Sequence, residues 1–489
     1  MLFNSHIFML LFLPLLLAGW YFLNWKKKFQ LAQGYLIGMS LWFYAYANLQ
    51  YLWLLLFSCL IGWLLSCLPE KIFSEKGKKV LTGVGCVFHL GLLGYFKYSN
   101  FFLENLNTVF HTDFPMLQIL LPVGISFYTF QQLAYLIDRC RGDAPGDRFF
   151  DYLMFMVYFP QLLQGPILLR SEFMGQLKEP ERRRFHAERF SEGIQFFVFG
   201  LAKKVLLADT LAKAVNYGYS NVSMLDSISA LLLAVGYLTE LYFDFSGYCD
   251  MAVGLGKMIG LEVAENFDAP FHSASVKEFW RRWHMTLGRF FTRYVYIPLG
   301  GNRRGKMRTL CNVMIVMLLS GLWHGAAWTF VLWGFLHGVG MIWDNLEHPH
   351  LPKKWMRQAA TFAYVCMTFV FFRAESIAQG VDVLKSIVSL KWNGFVFQMA
   401  SALDMTEFYM ITKALSMKLP GLLSWFWLGI FVVLIAICFR VLSGEKVSGV
   451  VALKRQKGYG RLYPVLLAVL FTWSIISMTG VSEYLYFSF

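Results

Sequence analysis

The chain has 489 residues, 57% of them hydrophobic and only 15% charged, with a mean hydropathy of +0.50. A soluble domain carries roughly a quarter charged residues, so a soluble enzyme or binding module is excluded. The net charge of +14 sits largely in short loops such as Lys26–Lys28 and Arg182–Arg184, where membrane topology accounts for it and nucleic-acid binding is not expected.

Apolar runs able to cross about 30 Å of hydrocarbon recur along the whole chain, so a single all-α polytopic membrane domain over residues 1–489 is expected. The first run, Ile7 to Leu23, has its basic residues after it and no small-residue cleavage pattern, which predicts an uncleaved helix with an extracytoplasmic N-terminus. Basic loops then place Lys26–Lys28 and Lys71–Lys79 inside, and the uncharged Ala47–Gln50 turn and the Ser99–Met116 loop outside. Spans are predicted near 7–24, 33–48, 50–68, 80–97 and 117–137. The next apolar stretch, 149–168, holds Pro160 and Pro166 between two basic flanks and reads as re-entrant, which requires its broken backbone to be enclosed by protein. Further spans near 191–208, 227–245, 309–344, 357–373, 424–441 and 462–479 bring the expected total to about eleven. No repeat or inverted pair of halves is evident, which weakens a secondary transporter. The eight Cys lack a CxxC spacing, so neither a disulfide framework nor a metal site is expected.

Residues 244–305 mix charge, Gly and aromatics too densely for a lipid-facing helix, and the catalytic core is expected within 120–345. Trp280-Arg281-Arg282-Trp283-His284 is predicted to be helical, with Trp280, Trp283 and His284 on one face and Glu278 placed to pair with Arg282. An interfacial helix with snorkelling Arg is the competing reading. Ser320-Gly321-Leu322-Trp323-His324-Gly325 lies inside an apolar run, where an ionisable side chain costs a few kcal/mol unless it faces a polar cavity. Gly321 and Gly325 form a G-x-x-x-G step for close helix approach, and a packed helix whose His bonds a neighbour is the alternative. Two histidines suit acyl transfer, since a neutral imidazole takes the proton of an attacking hydroxyl and a thioester needs no nucleotide for activation. Gly254–Lys257 lacks the spacing of a phosphate loop. Asp244 and Asp250, after the 227–245 run, either orient a His or anchor basic residues. Asn266 and Asp268 precede Pro270 and read as a turn, and His337, His272 and His89 read as structural.

Taken together, Tyr242–Asp250, Glu265–Phe267, Glu278–His284, Tyr296–Arg303 and Gly321–Trp328 resemble the membrane-bound O-acyltransferase superfamily, closest to its alginate O-acetylation branch. Gly94–Tyr98, Leu121–Phe127, Phe159–Gln161, Gly165-Pro166, Gly200–Lys204 and the closing Tyr486–Phe489 extend the likeness, although Ser488 stands where similar proteins often have Gln and 391–422 is less familiar, which puts the partner interface in doubt. The resemblance implies a ring of helices around a thin, funnel-shaped centre, with His324 catalytic and His284 beside it. Asp244, Ser246, Asp250, Asn266, Trp280, Arg281, Arg282, Trp283, Asn302 and Trp323 are expected to support the site or face substrate. It further implies a cytoplasmic thioester donor, expected to be acetyl-CoA and not tightly bound, a polysaccharide acceptor, an extracytoplasmic SGNH-type partner and a bacterial inner membrane. The intermediate acceptor is left open between a partner hydroxyl, a lipid-linked glycan and His324 itself. Competing expectations are D-alanyl transfer toward teichoic acid, protein lipidation, and a transporter, flippase or scaffold.

Overall fold

A computed structural model describes residues 1–72, 74–346, 352–442, 446–458, 460, 462–478 and 484–485, so the Tyr486–Phe489 motif lies outside the described residues. Within them every regular element is helical. Six helical stretches are long and apolar enough to cross a bilayer: Phe8–Trp25, Phe29–Cys67, Glu75–Phe110, Ser227–Ile259, Lys306–His324 and Pro420–Phe439. Trp328–Trp343 and Leu462–Ile476 are apolar but shorter.

Besides the predicted 33–48 and 50–68 spans, which run together as Phe29–Cys67, four boundaries differ from expectation. The predicted 80–97 span does not stop before an outer loop but continues through a π-helical segment, Gly94–Tyr98, into Ser99–Phe110. The helix expected over 117–137 begins only at Ile125, because Pro122 lacks an amide proton and Gly124 takes φ +79°. Past residue 245 the third difference arises, since Ser227–Ile259 is one helix of 33 residues and Asp244 and Asp250 lie inside it. The fourth is 309–344, which is a hairpin of Lys306–His324 and Trp328–Trp343. Gly325 breaks it, at φ −156° and ψ 151°, so the G-x-x-x-G step does not run along one helix. Instead Gly321 admits the returning helix of the hairpin, where a Cβ would strike the Phe330 carbonyl.

The helix Ser227–Ile259 is the axis of the fold. Asp226 caps it, its carboxylate accepting from the Ser229 amide at 2.8 Å and hydroxyl at 2.7 Å and from the Asn393 and Gly394 amides at 3.2 and 3.1 Å. Against the helix Ala187–Ala202 it packs through two glycine crossings. A Cβ on Gly193 would lie 2.6 Å from Gly254 O, and one on Gly247 would lie 2.7 Å from Gly200 O. Small residues permit such an approach where the hydrophobic effect cannot drive helix association in lipid. Gly254 therefore serves helix packing.

Beside this pair, 149–168 is broken as its prolines predict, into Phe149–Val157, a short Phe159–Leu162 turn and an extended run to Arg170. Every residue from Tyr152 to Arg170 is buried, which meets the condition for irregular backbone at membrane depth.

Candidate active site

His284 and His324 come together from separate helix ends, 0% and 3% exposed, with ring centroids 6.4 Å apart. The route differs from the predicted helix face. Val276–Arg282 is a helix, Trp283 is extended, and His284 turns left-handed at φ +46° before Met285–Phe291 begins. A non-glycine residue in that conformation costs roughly 1–2 kcal/mol, and such strain persists only where surrounding bonds over-determine it.

Asn266 supplies those bonds. Its backbone oxygen accepts from the Met285 amide at 2.9 Å. Its Oδ1 accepts from the Thr286 amide at 3.1 Å, the Thr286 hydroxyl at 2.9 Å and His284 Nδ1 at 3.3 Å. An amide oxygen only accepts, so Nδ1 carries the proton and the His284 lone pair sits on Nε2. The Asn266 amide is oriented by donation to Cys249 Sγ at 3.4 Å. Thr286 Oγ1 also accepts from the Ile167 amide at 3.1 Å, and Arg289 grips Ile167 O at 3.2 Å and Glu172. The broken 149–168 segment is thereby tied to the histidine.

His324 is the last residue of Lys306–His324 and stands in an aromatic cage of Trp323, Trp333 and Phe372, with centroids 4.9, 5.2 and 5.2 Å away. Trp323 stacks on Phe130 at 5.3 Å and meets His284 at 6.0 Å. Lys97 Nζ donates to Trp323 O at 2.7 Å and His324 O at 2.9 Å, and Tyr98 OH donates to Leu322 O. A cavity of about 50 Å³ adjoins His324, walled by Lys97, Leu121–Phe127, Leu163 and Trp323. At the 10–15 Å³ that one water centre requires, it admits a group of about three heavy atoms.

A buried imidazole beside a small cavity, with a second imidazole next to it, can take a proton from a hydroxyl while a carbonyl is attacked. Sequence comparison assigns that chemistry. Residues 147–378 match the family model for MBOAT, the membrane-bound O-acyltransferase family, a span containing both histidines and Asn266. The chain is 35% identical over 423 residues to the peptidoglycan O-acetyltransferase of Helicobacter pylori, covering 80% of each chain. It is 40% identical over 389 residues to the probable alginate O-acetylase AlgI of Azotobacter vinelandii, covering 77% of this chain and 76% of that one. The teichoic acid D-alanyltransferase of Streptococcus thermophilus is more distant, at 28% over 253 residues and 49% of this chain.

The chain belongs to the membrane-bound O-acyltransferase family. It is an acyltransferase embedded in a membrane, and the transporter and scaffold readings fall away.

Within this acyltransferase the remaining candidates divide. Trp323 and Asn266 touch the pair directly. Trp283 packs 5.1 Å from Phe267, and Phe267 meets Phe245, which lies 4.8 Å from His284. Trp280 turns instead to His337, donating from Nε1 to Nδ1 at 3.2 Å, and Thr368 Oγ1 holds Nε2 at 3.0 Å. His337 is thus a structural histidine, as is His89, bonded to Ser58 at 3.2 Å. Arg282 pairs with Glu278 at 2.9 Å as the spacing predicts. Arg281 and Asn302 are exposed, and neither bonds the histidine pair.

Asp244 and Asp250 orient no histidine. Lys204 meets Asp244 at 2.6 Å and Asp209 at 2.8 Å, Lys203 meets Asp250 at 2.6 Å, and Asp244 also accepts from the Leu485 amide at 3.0 Å. Ser246 and Asp250 border a cavity of about 20 Å³ that reaches Asn266 from the far side. Among the described residues no group of three or more His, Cys, Asp and Glu could hold a metal.

Lys97, Thr286, Trp333 and Phe372 are missed by the sequence reading. Lys97 alone carries a legible signal, as an isolated cation at the end of an apolar run.

Proposed function

We propose that this acyltransferase moves an acetyl group from a cytoplasmic thioester, acetyl-CoA, onto a hydroxyl destined for a cell-surface or secreted polysaccharide. The observation that carries the reading is His324, with the His284 ring 6.4 Å away, beside a cavity of about 50 Å³ that has room for an acetyl group. In the reaction His324 takes the proton of the attacking hydroxyl, the new C–O bond forms, and the thiolate leaves with that proton. His284, its Nδ1 held by Asn266, positions the carbonyl or relays the proton. The names of the Helicobacter pylori and Azotobacter vinelandii relatives support acetyl over D-alanyl, whose named carriers match about half of this chain. Residues around the two histidines are expected to close into a thin centre reached from both faces.

The proposed setting is a bacterial inner membrane with the N-terminus extracytoplasmic, and an SGNH-type enzyme on that face completing delivery to the polymer. The test is radiolabelled acetyl-CoA given to membranes from the producing cells, comparing wild type with His324→Ala. Base-labile label in polymer that vanishes in His324→Ala is the expected result. Equal label in both membranes at equal protein level would remove His324 from the chemistry.

A further inference from the structure

Lys97 stands in a place that helix capping alone does not require. A lysine at membrane depth costs a few kcal/mol and usually snorkels to the interface, yet this side chain turns inward to the end of Lys306–His324. Its ammonium donates to Trp323 O at 2.7 Å and His324 O at 2.9 Å, the terminal carbonyls of that helix. Tyr98 from the same segment already serves the adjacent Leu322 O, so the helix end has a neutral donor beside the charged one.

An ammonium has three donors, and the two carbonyls use two. Lys97 also lines the same cavity of about 50 Å³ as His324, across from Gly124, Ile125 and Ser126. Lys97 and His324 thus line one small space, the cation fixed through the backbone of His324.

We propose that Lys97 is a catalytic residue whose ammonium binds the carbonyl oxygen of the acyl group in this cavity and stabilises the oxyanion of the tetrahedral intermediate. This rests on the acyl-transfer reading above. As the acceptor oxygen bonds to the acyl carbon, the carbonyl π pair moves onto oxygen, where the third Lys97 proton meets it, and the hydroxyl proton passes to His324. Collapse re-forms the carbonyl, breaks the C–S bond and returns the proton from His324 to the departing thiolate. A preorganised ammonium donor acts on developing negative charge more strongly than freely reorienting water does. It also explains why an inward-turned lysine is placed here when a second neutral donor would satisfy the carbonyls.

The experiment uses membranes from the producing cells carrying the full chain at matched levels, with labelled acetyl-CoA as donor and base-labile label in polymer as readout. Wild type is compared with Lys97→Gln, Lys97→Arg, Tyr98→Phe and His324→Ala. Lys97→Gln keeps a donor but loses the charge and is expected to lower kcat about 100–1,000-fold, the usual cost of one oxyanion donor, with KM for acetyl-CoA nearly unchanged. Lys97→Arg should recover a measurable part of that loss, and Tyr98→Phe, which removes a helix-end bond without touching charge, should stay within a few-fold of wild type. Lys97→Gln within a few-fold of wild type, or equal losses in Lys97→Gln and Lys97→Arg, would overturn the proposal and assign Lys97 to the helix end. No base-labile label in polymer from wild-type membranes would overturn the acyl-transfer reading itself and this proposal with it.

Discussion

Two regions of this membrane protein bury ionisable side chains, and they do so in opposite ways. Around Ser227–Ile259, Lys204 and Asp244 are both 2% exposed in their side chains and meet at 2.6 Å, with Lys203 and Asp250 repeating the arrangement nearby. Each of these four charges is cancelled by a neighbour. Around the helix end at His324, two imidazoles stand among tryptophan and phenylalanine rings, His284 held by the Asn266 amide, while Lys97, bonded among the described residues to backbone carbonyls and to no carboxylate, and His324 line a cavity. The comparison teaches that burial of an ionisable residue marks importance but not its kind. A closed ion pair fixes helices, whereas buried imidazoles beside open space mark chemistry.

The most severe way to break the comparison is at His324. His324→Ala should lower acetyl transfer per folded molecule by about 100–10,000-fold, the range of a general acid–base residue, while thermal unfolding in detergent changes little. Next comes Asp244→Asn, which leaves Lys204 to Asp209 alone and should cost about 1.5–3 kcal/mol of stability, the range of a hydrogen bond to a charged group. Thermal melting would fall, and activity per surviving folded molecule should stay near wild type. If melting stays the same, the ion pairs are not what holds this region.

Asn266→Ala frees the His284 ring and its strained backbone. A drop of about 10–100-fold in kcat is expected, as for outer groups that orient a reactive imidazole, with a smaller stability loss. A kcat equal to wild type would detach Asn266 from the site. The smallest effect should come from Asp226→Ala at the capped start of the central helix, worth about 1–2 kcal/mol. Burial alone would raise this carboxyl, yet the Ser229, Asn393 and Gly394 donors hold it below its ordinary range. Its folded pKa is depressed, so its contribution is complete above the unfolded value of about 3.9 and fades as pH falls through the folded one. Melting of wild type, but not of Asp226→Ala, should therefore weaken by this increment in acid.

Much of the fold was legible because apolar length and basic loops carry topology directly. The breaks were less so. Pro160 and Pro166 announced the interruption of 149–168, but nothing local distinguished the hairpin at Gly325 from a long helix, since the apolar run continues on both sides of it. Likewise Trp280, Trp283 and His284 share a face only if the helix continues. The Asn266 and Thr286 bonds that stop it come from other elements, which spacing cannot reveal. His324 was legible as an ionisable residue in an apolar run. Asp244 carried the same signal with a different meaning, because its partner Lys204 lies 40 positions away in sequence.

The most direct test of the account is acyl transfer per folded molecule measured side by side for His324→Ala and Asp244→Asn at matched folded protein. The account predicts collapse in the first and near wild-type turnover in the second. Retained turnover in His324→Ala with loss in Asp244→Asn would place the chemistry at the ion pairs and contradict it.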